Sequence, residues 1–70
     1  SDPHASSARP LLRQGDRGDP VRAVQNLLHI LADGYFGPIT RRAVIAFQKS
    51  KDLSADGLVG EKTWAALAAN

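Results

Sequence analysis

Two short segments carry acidic, hydroxyl and imidazole side chains at spacings that could hold a metal ion. One segment has suitable residues at the first, third, fifth and sixth positions of an EF-hand-like calcium loop: Asp52, Ser54, Asp56 and Gly57. Its twelfth position, where calcium needs a bidentate glutamate, is Thr63. The matching segment 23 residues earlier has His29 and Leu31 at its first and third positions. The two segments share a turn and not a ligand set, so we predict no calcium site.

Zinc-binding and catalytic arrangements are also incomplete. His29 and Asp33 stand four residues apart, but zinc needs a third protein ligand, and the other histidine is His4, near the N-terminus. No Ser-His-acid set can be assembled from the sequence. Asp33 and Asp56 are the symmetric candidates for paired catalytic carboxylates, and both are better explained by hydrogen bonding within turns. We therefore predict a protein that is not an enzyme and that holds no metal and no cofactor.

One face of a predicted helix carries three cations, Arg41, Arg42 and Lys49. Such a face is found on helices that enter the major groove of DNA, and also on helices that are merely solvated. The net charge is only +2, and Gln48 is the one amide on that helix that could read a base edge. A small basic DNA-binding domain is therefore the less favoured alternative, and no nucleic acid is expected among the partners.

The length and composition indicate one small domain without disulfides. In a chain of 70 residues nearly every large apolar residue is needed for the core, and there is no cysteine. No apolar run approaches the roughly 18 residues of a membrane span, so no membrane partner is expected. Residues 1–10 are polar and rich in Pro, Ser and Ala. We interpret them as a flexible linker or a vector-derived remnant, and we assign the domain to residues 11–70.

Three helices are predicted from helix-start signals and apolar periodicity. The first begins with Asp19 as N-cap and Pro20 in its first turn, and the second begins at Gly37-Pro38. The third runs from about residue 61 to residue 68. The residues predicted to face inward are Val21, Val24, Leu27, Leu28 and Leu31, then Ile39, Ala43, Ala46 and Phe47 with Val44 at the margin, then Trp64, Leu67 and Ala68. The polar residues Gln25 and Gln48, together with Ile45, fall on the outer faces. The fold class is all-α, a small three-helix bundle.

The second and third helices are entered through the same sequence, Asp-Gly-x-apolar-Gly-x-x-Thr, at residues 33–40 and 56–63. Glycine permits backbone angles that a side chain would penalise, and aspartate and threonine can accept hydrogen bonds within the turn. The residues assigned to this structural turn are Asp33, Gly34, Gly37, Thr40, Asp56, Gly57, Gly60 and Thr63. We expect Phe36 and Val59 to point into the core, and Tyr35 and Leu58 to point outward.

The segments LLRQGDRGDPVRAVQNLLHIL and DGYFGPITRRAVIAFQKSKDLSADGLVGEKTWAAL resemble the type 1 peptidoglycan-binding domain, a three-helix module of bacterial and phage cell-wall hydrolases. The resemblance covers residues 11–67 and includes the double turn, the Ala-Phe-Gln step at 46–48 and, after a Gly turn, a helix with the pattern Val21-x-x-Val24-Gln25-x-x-Leu28. Two features depart from the family. Asp33 follows Leu31 almost at once, where several more residues are usual, and Asp52 stands where a glycine usually precedes the leucine. The second departure is mild because aspartate tolerates the left-handed conformation.

The resemblance implies a non-catalytic module that binds bacterial peptidoglycan, through its glycan, its stem peptide or both, and targets a covalently linked catalytic domain to the cell wall. It implies an extracellular, periplasmic or cell-wall location, or a phage lysin, and a monomer. The expected ligand contacts are Tyr35 as a stacking platform, Arg41 or Arg42 for carboxylates, Gln25 as an amide and Ile45 as an apolar contact. The alternative is a protein–protein or pro-segment-like module, which the shortened loop at residues 31–33 keeps open.

Overall fold

The computed structural model describes residues 10–69; residues 1–9, most of the predicted linker, and residue 70 lie outside the described range. Three helices follow one another along the chain: α1 (Asp19–Leu27), α2 (Pro38–Ser50) and α3 (Glu61–Ala69). Outside the helices, the described backbone forms turns and two isolated β-bridges, which join Leu12 to Val59 and Arg17 to Tyr35. This confirms the all-α class and the three-helix architecture. No helix within the described range is long and apolar enough to cross a bilayer.

Glycine and proline open the first two helices. Gly37 is the N-cap of α2 and Pro38 lies in its first turn, as predicted. Gly18, and not Asp19, is the N-cap of α1, and no side chain caps that end. The predicted capping role of Asp19 is therefore wrong, because this residue already lies within the helix. Its carboxylate lies 3.2 Å from Nη1 of Arg22, and the positive end of the helix dipole favours an acid at this position.

In the described part of the chain, eight buried apolar side chains form the core: Leu12, Val21, Val24, Phe36, Val44, Val59, Trp64 and Leu67. Phe36 and Val59, the apolar residues of the two turns, have no exposed surface, which confirms the inward orientation predicted for them. Trp64 is 6% exposed, and its indole Nε1 donates a hydrogen bond to the carbonyl oxygen of Pro10 at 2.8 Å. Pro10, which the sequence assigned to the linker, thus contacts the domain.

The predicted inward faces of the helices need correction. Five residues expected in the core are exposed: Leu27, Leu31, Ile39, Ala46 and Ala68. Conversely, Val44 is fully buried although it was placed at the margin, and Ile45 is half-buried although it was placed outside. Gln25 and Gln48, predicted to face solvent, are each only 1% exposed. Apolar periodicity alone places Gln25 and Gln48 on the solvent side, whereas hydrogen bonds draw these two amides into the interior and rotate the buried arc of each helix.

The segment before α1 ties both turns to the body of the domain. Leu12 pairs with Val59 in both directions, with N–O distances of 3.2 and 2.8 Å. Three backbone hydrogen bonds do the same at the first turn: Gly15 N to Phe36 O at 2.8 Å, Phe36 N to Asp16 O at 2.9 Å, and Gly18 N to Gly34 O at 3.0 Å. One segment therefore satisfies backbone groups of both turns, which would otherwise lose hydrogen bonds on burial.

The corrected orientation of α2 predicts unequal costs for two truncations on that helix. Val44→Ala removes two methyl groups from a fully buried site and should lower the free energy of unfolding by about 2 kcal/mol. Ile39→Ala removes a larger side chain that is 74% exposed, and should change it by less than about 0.5 kcal/mol. Urea unfolding of both variants measures the difference. Equal losses, or a larger loss for Ile39→Ala, would support the predicted inward face.

Candidate functional site

The first turn is locked by a single buried side chain of α1. The amide of Gln25 contacts four groups: its Nε2 lies 2.8 Å from Asp33 Oδ1, 3.0 Å from the carbonyl oxygen of Tyr35 and 3.0 Å from Thr40 Oγ1, and its Oε1 accepts the N–H of Gly34 at 2.9 Å. Asp33 Oδ1 also accepts the N–H of Tyr35 at 3.0 Å, a bond of the kind predicted within the turn. The turn that presents Tyr35 is therefore rigidly positioned by hydrogen bonds.

The second turn repeats this network. Gln48 of α2 makes the same four contacts: Nε2 to Asp56 Oδ1 at 3.2 Å, to the carbonyl oxygen of Leu58 at 2.7 Å and to Thr63 Oγ1 at 3.1 Å, and Oε1 to the N–H of Gly57 at 3.1 Å. Asp56 Oδ1 accepts the N–H of Leu58 at 2.9 Å. The glycine of each turn is left-handed, with φ of 79° at Gly34 and 78° at Gly57, where a side chain would be strained.

The two glutamines were placed wrongly on exposed helix faces, although the sequence holds a signal for their true position. Gln25 and Gln48 are separated by 23 residues, the same offset that relates Asp33 to Asp56 and Thr40 to Thr63. A polar residue that repeats in register with a turn is a candidate for bonding to that turn. The amide of Gln25, predicted to contact ligand from an exposed helix face, is instead buried and fully engaged inside the protein.

The 23-residue repeat also includes the end of the helix that precedes each turn. His29, which follows α1, and Asp52, which follows α2, both adopt the left-handed conformation, with φ of 60° and 59°. The next residue then donates its N–H back to the carbonyl oxygen of the glutamine, from Ile30 to Gln25 at 3.0 Å and from Leu53 to Gln48 at 2.8 Å. The shortened loop therefore has the same length as its counterpart in the second copy, and the repeat is complete from helix end to helix start.

Hydrogen bonding holds the pKa of Asp33 below its usual range. The main cause is the backbone N–H of Tyr35, followed by the side-chain amide of Gln25, and the nearby charge of Arg22 acts in the same direction. These donors favour the ionised carboxylate over the protonated form. The first turn is therefore bonded to a carboxylate anion at neutral pH.

Tyr35 is the most exposed aromatic side chain among the described residues. It is 41% exposed, and the guanidinium carbon of Arg17 lies 5.1 Å from the ring centroid, within cation–π range. The ring also lies against the backbone of Gly37, since a Cβ at that position would come within 2.9 Å of Tyr35 Cε2. The glycine at residue 37 is thus required by the ring that packs over it. Sequence reasoning missed Arg17, because nothing in the spacing links it to Tyr35.

The remaining residues predicted to contact ligand, Arg41, Arg42 and Ile45, lie on helix α2 and differ in their surroundings. Arg41 is exposed but runs along the second turn, where a Cβ on Gly57 would lie 2.9 Å from its Nε. Arg42 is exposed on α2, and Ile45 is half-buried on the same helix. Arg22 covers Gly34 of the first turn in a similar way, with its Nε 3.2 Å from a Cβ built there. Each turn therefore has an arginine lying against its glycine.

Among residues 10–69, no group of three or more His, Cys, Asp or Glu side chains is placed so that it could hold a metal ion. In the same range, every buried side-chain nitrogen or oxygen has a hydrogen-bond partner. Both turns therefore satisfy their own polar groups. What they offer to a ligand is the outward-facing set of side chains mounted on them.

Fold and site together define a three-helix module whose helices are joined by two copies of a glutamine-locked turn. Over residues 17–67 the sequence matches the family described as "Putative peptidoglycan binding domain". The chain therefore belongs to this peptidoglycan-binding domain family, which confirms the resemblance drawn from the double turn.

Individual relatives are longer than this chain. The "Uncharacterized protein in bpoA1 3'region" of Kitasatospora aureofaciens is 48% identical over 89% of this chain and 58% of its own length. The "Zinc D-Ala-D-Ala carboxypeptidase" of Streptomyces albus G is 36% identical over 76% of this chain and 24% of its own length. Among solved structures, a Burkholderia AP3 phage endolysin superimposes with a TM-score of 0.83 and 43% identity over 86% of this chain and 25% of its own. The chain thus spans less than two thirds of each of these proteins.

The glutamine networks predict a large stability cost for a small change. Gln25→Ala leaves the buried N–H of Gly34 without its partner and removes one of the donors to the carbonyl oxygen of Tyr35, and it should lower the free energy of unfolding by about 2–4 kcal/mol. Asn26→Ala, at the next position on the exposed face of α1, is the matched control and should cost less than about 0.5 kcal/mol. Chemical denaturation measures both, and a mild effect at Gln25 would contradict its locking role.

The lowered pKa of Asp33 predicts an acid-dependent loss of stability. Because the folded chain has the lower pKa, the unfolded chain binds the proton more readily. The ionised carboxylate therefore contributes stability that is fully present above the unfolded value of about 4, and this stability is lost as the pH falls through the folded pKa. Asp33→Asn should be less stable than the wild type near pH 6, and the difference in unfolding free energy should narrow as the pH falls below the unfolded value of about 4. Urea unfolding across this range tests it, and a constant gap would show that ionisation is irrelevant.

Proposed function

We propose that the domain binds bacterial peptidoglycan and that, in a longer protein, it holds a linked catalytic domain at the cell wall. The family description supports this, as do the names of two relatives, a phage endolysin and a D-Ala-D-Ala carboxypeptidase, each matched over about a quarter of its length. The domain itself is proposed to be non-catalytic and monomeric, and to act in the cell wall, in the periplasm or outside the cell, or as part of a phage lysin.

The observation that carries the proposal is the half-exposed aromatic ring on the first turn. Tyr35 stands on a backbone that Gln25 has already fixed, so a ligand that contacts it orders little of the protein. Peptidoglycan presents sugar rings and N-acetyl methyl groups that suit an aromatic surface. A rigid, shallow aromatic site is within reach of a domain that is too small for a deep cleft.

Arg17 supplies a positive charge beside the ring of Tyr35, which suits the carboxylates of the stem peptide. Its guanidinium lies over the Tyr35 ring, and that contact restrains it before any ligand arrives. A guanidinium can then pair with a stem-peptide carboxylate in a bidentate manner at a smaller cost in conformational entropy. We therefore assign the main contacts to Tyr35 and Arg17. Arg41, Arg42 and the exposed part of Ile45 remain proposed further contacts, whereas Gln25 is not retained because its amide is engaged within the protein.

A second candidate function is contact with another protein, for instance as a pro-segment packed against its own catalytic domain. Two large apolar side chains near the first turn favour it, since Leu31 is 82% exposed and Ile39 is 74% exposed. Apolar side chains left in water at this level are typical of interaction surfaces when they lie together. A folded chain that insoluble peptidoglycan does not retain would support this second function over the first.

Retention of the 70-residue chain on purified insoluble peptidoglycan tests the proposal. Tyr35→Ala and Arg17→Ala should each weaken retention by about tenfold, which corresponds to the loss of one stacking or charge-assisted contact. Arg17→Ala should also lose the part of the affinity that salt screens. Arg13→Ala is the matched control, because it removes an exposed arginine from the same segment.

Circular dichroism confirms that each variant is folded before its retention is compared. An Arg41→Ala/Arg42→Ala variant measures, in the same assay, how much the two arginines of helix α2 contribute to retention. Full retention of both Tyr35→Ala and Arg17→Ala would move the site away from the first turn.

A further inference from the structure

A groove runs along the second turn, between the residues of that turn and Leu11 of the segment that precedes helix α1. Its volume is about 490 Å³. The floor is the hydrogen-bonded pair Gln48 and Thr63, which are 1% and 5% exposed. Leu11, Leu53 and Leu58 form apolar walls. The floor is rigid because the turn network fixes it, so the groove exists before any ligand binds.

The charges that line this groove are opposite in sign to the charge of the chain. Three carboxylates border it, those of Asp52, Asp56 and Glu61, against one ammonium group, that of Lys62. The chain as a whole carries a net charge of +2. A concave surface with an excess of carboxylates favours a cationic group on a ligand and disfavours an anionic one. The apolar walls add surface for methyl or methylene groups beside that cation.

The first copy of the turn shows which of these carboxylates the fold requires. Asp56 corresponds to Asp33, and both bond to their own turns. Asp52 and Glu61 correspond to His29 and Pro38, at the same offset of 23 residues, and the first turn closes with the same hydrogen bonds without any acid at those two positions. The extra carboxylates of the second copy are thus free of a structural role in the turn.

We propose that this groove binds a short peptide that carries a primary ammonium group, with Asp52 and Glu61 pairing the ammonium and the leucine walls contacting small apolar side chains. The inference rests on the proposed function, because a peptidoglycan stem peptide whose diamino acid is not cross-linked offers this combination of an amine beside alanine methyl groups. The groove then recognises the stem peptide at the second turn, while Tyr35 and Arg17 act at the first.

The test is a titration of the isotopically labelled 70-residue chain, followed by two-dimensional amide NMR. The probe is Nα-acetyl-L-lysyl-D-alanyl-D-alanine, and the matched control peptide is its Nε-acetylated form, in which a neutral acetamide replaces the ammonium group. We expect the amide signals of Leu58, Glu61 and Lys62 to move, and the acetylated peptide to bind about threefold to tenfold more weakly at low salt.

Two variants locate the effect. Asp52→Asn/Glu61→Gln should bind both peptides equally, and asparagine can keep the left-handed backbone of residue 52. Asp19→Asn is the control, because Asp19, like Glu61, is an exposed acid in the first turn of a helix, and it should preserve the preference for the ammonium peptide. Equal binding of the two peptides by the wild type, or a preference that survives in Asp52→Asn/Glu61→Gln, overturns the assignment.

Retention on insoluble peptidoglycan separates this inference from the function on which it rests. A wild type that is retained by the wall but ignores the ammonium group overturns the groove assignment and leaves wall binding intact. A wild type that prefers the ammonium peptide but is not retained by the wall supports the groove and overturns wall binding.

Discussion

Each half of this domain depends on one buried glutamine amide. Gln25 and Gln48 are held in a helix at one end and bonded at the other to the loop that leads into the next helix. A loop that closes over a small core turns backbone N–H and C=O groups inward, and such groups are costly to bury without partners. A primary amide both donates and accepts, so one side chain can satisfy a glycine N–H and a carbonyl oxygen in the same turn. The start of the following helix is fixed as a consequence.

The need for this device follows from the size of the core. Eight buried apolar side chains among residues 10–69 leave little hydrophobic driving force to position two long connections. The N-terminal segment supplies the second restraint, because Leu12 pairs with the second turn while residues 15–18 pair with the first. Each turn is therefore held from one side by an amide and from the other by backbone pairing. Packing alone would leave both turns free to move relative to the helices.

The turns were predictable from the sequence, and the helix faces were not. A short motif is enough to predict the left-handed backbone of Gly34 and Gly57, because it follows from local sterics. The burial of Phe36 and Val59 is equally predictable from their apolar character. The buried arcs were misplaced because periodicity treats an amide as a solvent-facing group, whereas Gln25 gains more from the turn than from water. Ile39 then falls on the solvent side of α2. Arg17 escaped notice because its partner, Tyr35, is distant in sequence and is brought near only by the bridge between their backbones.

The two copies have kept their interiors and changed their surfaces. Glutamine, aspartate, glycine and threonine occupy equivalent positions in both, but the outward residues are Leu31, Tyr35 and Ile39 in one copy and Ser54, Leu58 and Lys62 in the other. Since the same hydrogen bonds close both turns, the turn networks do not depend on the side chains at those outward positions. We propose that their chemistry is set by what they contact outside the domain. A ligand that combines sugar rings with a charged peptide presents two such chemistries side by side, and a duplicated turn with unlike surfaces can engage both without a larger fold.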